Sequence, residues 1–383
     1  MGWVRGSATV HIHMDLSGTL PGLERSLDAL TREGNIQAVL VLACAANDFP
    51  IFELDLILRT RPYTIFGGIF PAIIHGARRF ERGTILVGLS RPVRAVPIEG
   101  LSDIDTNLKA ALTSVAIQSE AMKTMMVFVD STSKRIGHLV DHLRDMFGGK
   151  INCIGGGAGS VNMQPKPCLF SNDGLLGDAA ILALVDLESG IGVSHGWEPV
   201  RGPYRVTGAQ GNIIKALDWK PAFEVYREAV EMHSRRTFER EGFWGIAKGY
   251  PIGITTMAME KVVRDPLQPS PDGGLICMGE VPEGVSVDIL HGRADNLIAA
   301  AGRASGLAGL AFHGSAQRRI TLLLDCISRV EFLGNRFREE MLAIHQERQP
   351  MLGACTIGQI AGVDRDSFAF HNKTAVIGVL ERP

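Results

Sequence analysis

The chain contains 383 residues, of which 45% are apolar and 21% are charged, and its formal net charge is −2. The apolar content suffices for a large core, and the length predicts two domains or one large repeat assembly. The near-neutral charge gives no electrostatic footprint for nucleic acid, so a phosphate-backbone partner is not expected.

The sequence also predicts the compartment. Residues 1–14 lack the long apolar core that follows the basic start of a secretion signal. The longest apolar runs, such as AVLVLACAA and AAILALV, have strand length and fall far short of the ~20 residues of a membrane span. Six cysteines are scattered without a Cys-x-x-Cys pair or zinc-site spacing, so reduced thiols are expected. Together these features predict a cytoplasmic protein.

The first of three similar patterns occupies residues 40–89. A buried strand is followed by an amphipathic helix, a second strand that runs into a glycine-rich loop, and an apolar closing strand. A strand and a helix precede the pattern. The loop also carries a basic set that can either hold an anionic group or be solvated, namely Arg78, Arg79 and Arg82.

The second pattern occupies residues 126–184, after its own preamble of strand and helix. Its first strand ends at Asp130-Ser131. The loop CIGGGAG, with Gly155 and Gly156, superficially matches a dinucleotide fingerprint, but its glycines are crowded and no long helix follows them. We interpret this loop as backbone that turns sharply and approaches a ligand or another chain segment closely.

An inserted piece, residues 190–236, separates the second and third patterns. The pattern of this piece predicts a twisted hairpin and then a helix that begins at Pro221. His195 lies here within a group of aromatic side chains formed by Trp197, Tyr204 and Trp219. Residues 234–250 are charged and aromatic, which is typical of a linker between halves.

The third pattern occupies residues 318–380, and GVSVDILHG and ADNLIAAAGRA are its expected preamble strand and helix. Its polar residues follow the strand ends and turns: Asp325, Cys326, Arg329, Gln359, His371 and Asn372. If Cys44, Ser131 and Cys326 are equivalent strand ends, then Gly67, Gly155 and Gly353 follow them at similar spacings. The sequence therefore predicts an α/β (mixed α+β) fold in which a β-α-β-α-β-β unit is used three times.

The strand ends and glycine loops are expected to converge at one edge of a parallel sheet, where α/β folds bind ligands. Backbone N–H groups would hold ligand oxygens, and Arg329 would pair with a ligand carboxylate. The predicted ligand-binding set is Gly67, Gly68, Asp130, Ser131, Gly155, Gly156, Asp325, Cys326, Arg329, Gly353, Gln359 and Asn372.

Seven motifs occur in a fixed order: VSHGWEPV, YRVTGAQGNII, LDWKPAFEVY, VPEGVSVDIL, LLLDCISR, GACTIGQI and FHNKTAVIGVL. With them the chain resembles the FIST domain proteins, which carry paired N-terminal and C-terminal modules. The resemblance runs from roughly residue 36 to residue 380. It implies an N-terminal domain at 1–233, a linker at 234–250 and a C-terminal domain at 251–383.

The resemblance implies an intracellular sensor of small ligands that acts through a partner. Some bacterial members are haem proteins that sense nitric oxide and regulate a histidine kinase, so a haem, such a kinase or a homodimer is implied as well. His195 and His371 are the candidate axial ligands, and each can instead be structural. Gln359 stands where the family usually has Glu, and residues 70–73 replace another Glu-containing pattern, which implies a different or uncharged ligand.

Two other classes of function stay open. In an enzyme, Cys326 would be a thiolate stabilised by Arg329, with His195 or His371 as its base, although a buried inert cysteine is the structural alternative. A newly evolved activity on the FIST scaffold belongs to the same class. In a scaffold protein, the repeats would only present an interaction surface.

Overall fold

A computed structural model of the chain describes residues 11–116, 121–256, 261–315, 319–345, 349–364 and 366–382. The predicted absence of a secretion signal rests largely on residues 1–10, which lie outside this range. Among the helices that the structure describes, none has the length and apolar character needed to cross a membrane.

Each of the first two units contains two helices and six strands. The first consists of β1 (His11–Asp15), α1 (Leu20–Glu33), β2 (Ala38–Cys44), α2 (Ile51–Arg59), β3 (Thr64–Phe70), β4 (Ala72–His75), β5 (Arg78–Phe80) and β6 (Thr84–Leu89). The second consists of β7 (Val93–Glu99), α3 (Leu108–Ala116), β8 (Thr124–Asp130), α4 (Ile136–Phe147), β9 (Asn152–Ala158), β10 (Leu169–Ser171), β11 (Gly174–Leu176) and β12 (Ala179–Val185).

The third unit is split by a long insertion. It begins with β13 (Ser189–Ser194), and the insertion follows with β14 (Trp197–Gln210), β15 (Ile213–Leu217), β16 (Lys220–Pro221), α5 (Ala222–Ser234), α6 (Phe238–Glu241), α7 (Phe243–Ala247), β17 (Ile252–Ile254), β18 (Val262–Arg264), β19 (Pro266–Pro269), β20 (Leu275–Cys277) and β21 (Ser286–Gly292). The unit resumes with α8 (Ala294–Ala311), β22 (Arg319–Cys326), α9 (Ile327–Leu333), α10 (Phe337–Ile344), β23 (Met351–Thr356), β24 (Gln359–Gly362), β25 (Ala369–His371) and β26 (Ala375–Glu381).

The predicted α/β fold with repeated units is confirmed. Three six-stranded sheets have the orders β1-β6-β2-β3-β10-β11, β7-β12-β8-β9-β24-β25 and β13-β26-β22-β23-β4-β5. Each sheet is built on one parallel pair, formed by β2 with β3, β8 with β9, or β22 with β23. The last two strands of each sheet form a hairpin that another unit supplies, so the three units exchange hairpins in a closed cycle. The insertion forms a further sheet of its own.

The central strands are buried on both faces because they lie between two cores. Along β2, Leu40 and Leu42 point into a core shared by the three units, whereas Val39 and Val41 pack in the core under α1 and α2. This arrangement explains the continuous apolar run of the strand. The positions of β8 and β22 that match Leu40 by register, Met126 and Leu322, lie in the same shared core.

Strand register confirms the equivalence of the three glycines and corrects one strand end. Gly67, Gly155 and Gly353 pair respectively with Val41, Val127 and Leu323. Counting three positions onward from those partners makes Asp130, rather than Ser131, the equivalent of Cys44 and Cys326. The chain turns after Asp130 because its carboxylate accepts hydrogen bonds from the backbone and hydroxyl of Thr132, at 2.9 and 2.7 Å.

The glycines lie within strands and not in the predicted loops. A Cβ at Gly67, Gly155 or Gly353 would lie only 2.0, 1.7 or 1.8 Å from the carbonyl oxygen of its partner on the neighbouring strand. Glycine is therefore required for the close approach of the two parallel strands. Gly68 and Gly156 follow in the same strands, where a Cβ would meet Ala158 and Gly358 respectively.

Of the preamble expected for the third unit, the helix is α8, as predicted, but the strand was wrong. The segment GVSVDILHG forms β21, which pairs with β14 and β17 inside the insertion. The strand that pairs with β26 is instead β13, at the start of the piece expected to be inserted. Residues 234–250 are not an extended linker, because Phe238 and Ile246 on α6 and α7 are buried in the core of the insertion. The sequence pattern could not show whether β13 or β21 is the first strand of the third unit, since both segments have the apolar pattern of a buried strand.

Candidate functional site

Two cavities lie at the carboxyl ends of the parallel strand pairs. The first, here named the unit-three cavity, has a volume of about 410 Å³ and lies between the third unit and the insertion. Its polar lining residues are Asp265, Cys326, Ser328, Glu331 and Asn372. Its apolar lining residues are Val161, Met163, Trp244, Leu267, Met278, Ile327 and Ile357.

The elements of the fold explain why these residues meet. Cys326 ends β22 and Ser328 lies in the first turn of α9, so both stand at the carboxyl edge of the sheet. Asn372 lies in the turn between β25 and β26, and its Oδ1 accepts a hydrogen bond from the backbone N–H of Asp265 at 3.2 Å. This bond ties the third unit to the insertion at the cavity wall.

A buried ion pair lies beside the cavity. Lys373 is fully buried, and its Nζ lies 3.3 Å from Asp265 Oδ1 and donates a hydrogen bond to the Lys248 carbonyl at 2.9 Å. The same ammonium lies over the rings of Trp197 and Trp244, at 5.3 and 5.4 Å from their centroids. Burial raises the pKa of Asp265, while Lys373 and Ser328 oppose that shift. This pair was not predicted from the sequence, because its members are far apart in the chain.

Cys326 borders the cavity with its thiol next to a hydroxyl. Its Sγ lies 3.3 Å from Ser328 Oγ. Gln359 is fully buried behind it. With its amide oriented so that both ends are satisfied, Gln359 accepts a hydrogen bond from the Cys326 N–H at 3.1 Å and donates to the His371 carbonyl at 3.3 Å. Gln359 thus holds the strand end in place and does not line the cavity.

Arg329 is placed away from the cavity. Its guanidinium is fully buried and binds Glu340 in a fork, with Nε–Oε1 and Nη2–Oε2 distances of 3.1 and 2.7 Å. It also donates to the carbonyls of Leu297, at 2.6 Å, and of His195. The carboxylate that Arg329 pairs with is therefore Glu340 of this chain, and the guanidinium clamps α8, α9 and the turn after β13 together.

Asp325 belongs to the same buried cluster. Its Oδ1 lies 3.6 Å from Arg329 Nε. Burial raises the pKa of Asp325 well above its ordinary value, and the nearby carboxylate of Glu340 raises it further. Two acids thus share one arginine, and burial beside the Glu340 carboxylate favours the protonated form of Asp325. We assign this cluster a role in the stability of the third unit.

The two candidate haem ligands are both buried imidazoles, and haem binding stays a prediction. His195 lies in the turn between β13 and β14, where its Nδ1 accepts a hydrogen bond from the Trp197 N–H at 2.9 Å. Burial, followed by the charge of Arg329, lowers the pKa of His195 to about 4. Burial also lowers the pKa of His371 to about 3. An axial ligand must face an apolar pocket, and neither imidazole borders the unit-three cavity or the second cavity described below.

Among the described residues, no group of three or more His, Cys, Asp or Glu side chains is arranged to hold a metal ion. All six cysteines are free and buried. The cysteines are therefore separate thiols, as their scattered spacing predicts.

The second cavity has a volume of about 420 Å³ and lies at the ends of β2 and β8. Asp130 lines it, but its carboxylate is already bound within the protein, including to the Asp178 N–H at 2.7 Å. The segment 159–167 separates the two cavities. Its residues alternate, since Ser160, Asn162 and Gln164 line the second cavity whereas Val161 and Met163 line the unit-three cavity.

The predicted ligand-binding residues thus divide into two groups. Cys326 and Asn372 border the unit-three cavity and Asp130 borders the second cavity, and their role as ligand contacts stays a prediction. The others lie within strands or buried clusters. Among these, Ser131 is buried, and its backbone N–H donates to the Ala158 carbonyl at 2.9 Å.

Comparison with known proteins identifies the family. A family model for the FIST N domain matches residues 37–220, and one for the FIST C domain matches residues 222–362. No curated protein matches the chain. FIST domains are associated with sensory roles that involve small ligands. The two matches together cover most of the chain, in the order that the motifs predict, and the chain therefore belongs to the FIST domain family.

Proposed function

We propose that this protein is a cytoplasmic sensor that binds a small organic molecule in the unit-three cavity and signals through a partner protein. The observation that carries the proposal is the cavity itself, which combines an apolar wall with a small polar floor. Its volume of about 410 Å³ falls in the range of ligand sites, and such sites place a few polar groups among apolar ones. The buried free thiols fit a reducing compartment.

The lining indicates the chemistry of the ligand. At the floor, the charge of Asp265 is balanced by Lys373, 3.3 Å away. A charged ligand would lose its hydration at this floor and find no unbalanced partner there, since Glu331, the other acid of the lining, is exposed to solvent. A neutral hydrogen-bonding group can interact with Ser328 and Asn372. The rest of the ligand would contact apolar side chains such as Trp244. We therefore expect an uncharged molecule with an apolar body and one polar end.

The same geometry suggests how a signal leaves the site. The first turn of α9 lines the cavity, and its far end continues into the turn at Gly334–Arg336 and into α10. A ligand that favours one position of α9 would shift the surface at that end, which is how differential binding changes a conformational equilibrium. A signalling protein such as a histidine kinase is the class of partner that the family resemblance suggests.

A pair of neighbouring substitutions tests the ligand site. Val161→Trp places a large ring in the unit-three cavity, and Asn162→Trp places the same ring in the second cavity. We expect mass spectrometry of the denatured wild type and of Asn162→Trp to release the same small molecule, and Val161→Trp to release much less. Added molecules of the expected class should raise the melting temperature of the first two proteins only. Equal behaviour of both variants would contradict the proposal.

A second candidate function is catalysis by Cys326. The supporting observation is the position of its thiol at the cavity wall, 3.3 Å from Ser328 Oγ, which in turn contacts Asp265. The thiol proton could pass through this hydroxyl to the carboxylate while Sγ adds to a carbonyl carbon of the ligand. The C=O π bond would open to an alkoxide, which would then take the proton back from the carboxylate. Cys326→Ser would abolish turnover in an enzyme but would leave the affinity of a pure sensor nearly unchanged.

A further inference from the structure

A groove on the far side of the third unit is lined by three arginines. Arg78 and Arg79 come from the hairpin that the first unit contributes to the third sheet, and Arg338 comes from α10. Asn335, Phe337 and Met341 complete the lining. We propose that this arginine groove binds an acidic segment of a partner protein.

The charges in the groove are largely unbalanced. Arg79 pairs with Glu81 at 2.7 Å. Among the described residues, no acidic side chain lies within ion-pairing distance of Arg78 or Arg338, and both side chains are exposed. The guanidinium of Arg78 lies 5.1 Å from the centre of the Phe80 ring, which helps to hold it in place. Arg79 and Arg338 present planar forks to the groove, and such forks bind carboxylates through pairs of hydrogen bonds. Arg78 lies with Phe80 on the other face of β5 and adds positive charge at the edge of the groove.

The shape of the groove favours a chain segment over a small ligand. The groove has a volume of about 350 Å³ and is open to solvent, so it would bury only part of a small molecule. Its floor is formed by Phe337 and Met341, which belong to the apolar core under α10. Both side chains are only 3% exposed, so the floor is closed and an acidic segment would be held chiefly by its carboxylates at the arginines.

The position of the groove connects it to the ligand cavity. Ile327 and Ser328, at the start of α9, line the unit-three cavity, and Gly334 and Asn335, just beyond the end of α9, line the arginine groove. The helix has 7 residues and spans about 10 Å. A movement of α9 would therefore displace the residues that line the groove. The proposed binding of an acidic segment itself rests only on the groove and not on the identity of the small ligand.

The test uses the full chain and a synthetic probe. The probe is a fluorescein-labelled peptide of repeated Glu-Glu-Leu triplets, and a peptide of Gln-Gln-Leu triplets is the neutral control. Fluorescence anisotropy at physiological salt measures binding to the wild type and to two triple alanine variants. One variant removes the groove arginines, Arg78, Arg79 and Arg338. The other removes three exposed arginines elsewhere with the same loss of charge, Arg25, Arg227 and Arg240.

We expect the groove variant to bind the acidic peptide at least ~10-fold more weakly than the wild type, because charge-assisted hydrogen bonds are lost. The charge-matched variant should bind within about 3-fold of the wild type, since distant exposed charges are screened. Circular dichroism should show that both variants fold. Equal weakening by the two variants, no binding to the wild type, or complete displacement of the peptide by inorganic pyrophosphate at equal concentration would overturn the proposal.

Discussion

Lys373 Nζ lies 3.3 Å from Asp265 Oδ1 in the interior of the protein. Lys373 belongs to the turn between the last two strands of the third unit, whereas Asp265 lies between β18 and β19 of the insertion. The ion pair therefore joins two parts of the molecule at the wall of the unit-three cavity. A buried charge is tolerated only when it is paired and hydrogen-bonded. Lys373 meets both conditions, because it also donates to the Lys248 carbonyl, whereas Asp265 Oδ1 makes the ion-pair contact without a hydrogen bond.

We expect Lys373→Met to lower the free energy of unfolding by about 3–5 kcal/mol, because it leaves the buried Asp265 carboxylate without its partner. The double variant Lys373→Met/Asp265→Asn should be more stable than Lys373→Met alone. Urea unfolding followed by circular dichroism measures both changes. If the two substitutions were simply additive, the residues would not be energetically coupled.

We expect substitutions of Glu340 and Asp325, the two acids beside Arg329, to lower the free energy of unfolding by different amounts. Glu340→Gln should lower the free energy of unfolding by about 3–5 kcal/mol, because it removes the carboxylate that neutralises buried Arg329. Asp325→Asn should lower the free energy of unfolding by no more than about 1 kcal/mol. The raised pKa of Asp325 favours its neutral form, and the amide that replaces it is also neutral. Chemical denaturation at neutral pH tests the difference. An equal cost would mean that Asp325 is ionised as well.

The lowered pKa of His371 predicts that the protein loses stability in acid. Its pKa is lowered from 6.5 to about 3 in the folded state, so below pH 6.5 the unfolded chain takes up a proton that the folded protein does not. The stability that neutral His371 contributes is therefore present above pH 6.5 and is lost as the pH falls toward 3. His371→Asn should reduce the decline between pH 6.5 and pH 4 in equilibrium unfolding. His313→Asn, at an exposed position, should leave the decline as in the wild type.

The close approach of parallel strands predicts that the equivalent glycines cannot be replaced. Gly155→Ala would put a Cβ 1.7 Å from the Val127 carbonyl oxygen. Overpacking against backbone should lower the free energy of unfolding by at least ~2 kcal/mol. Gly306→Ala is the control, because its Cβ would meet no atom within 4 Å and it lies in α8, where alanine is favoured by about 0.5–1 kcal/mol. Thermal unfolding of the two variants should shift in opposite directions.

Local pattern was sufficient for the repeated unit and for the equivalence of its glycines. The apolar runs and glycine positions of 40–89, 126–184 and 318–380 depend on strand and helix periodicity, which neighbouring residues determine. The same reasoning placed Cys326 and Asn372 at strand ends and turns, where they border a cavity. It missed Asp265 and Lys373, whose only sequence signal is a charged residue within an apolar context.

What the sequence alone determined is the α/β class, the three units and their family, because each is expressed in short contiguous segments. What only the tertiary structure decided is which segments pair across the chain. The hairpins are exchanged between units, β13 pairs with β26 across the insertion, and Arg329 forms a buried ion pair with Glu340. These choices depend on contacts between residues that are distant in sequence, and burial on both faces of a strand leaves no alternating pattern that would specify its partner.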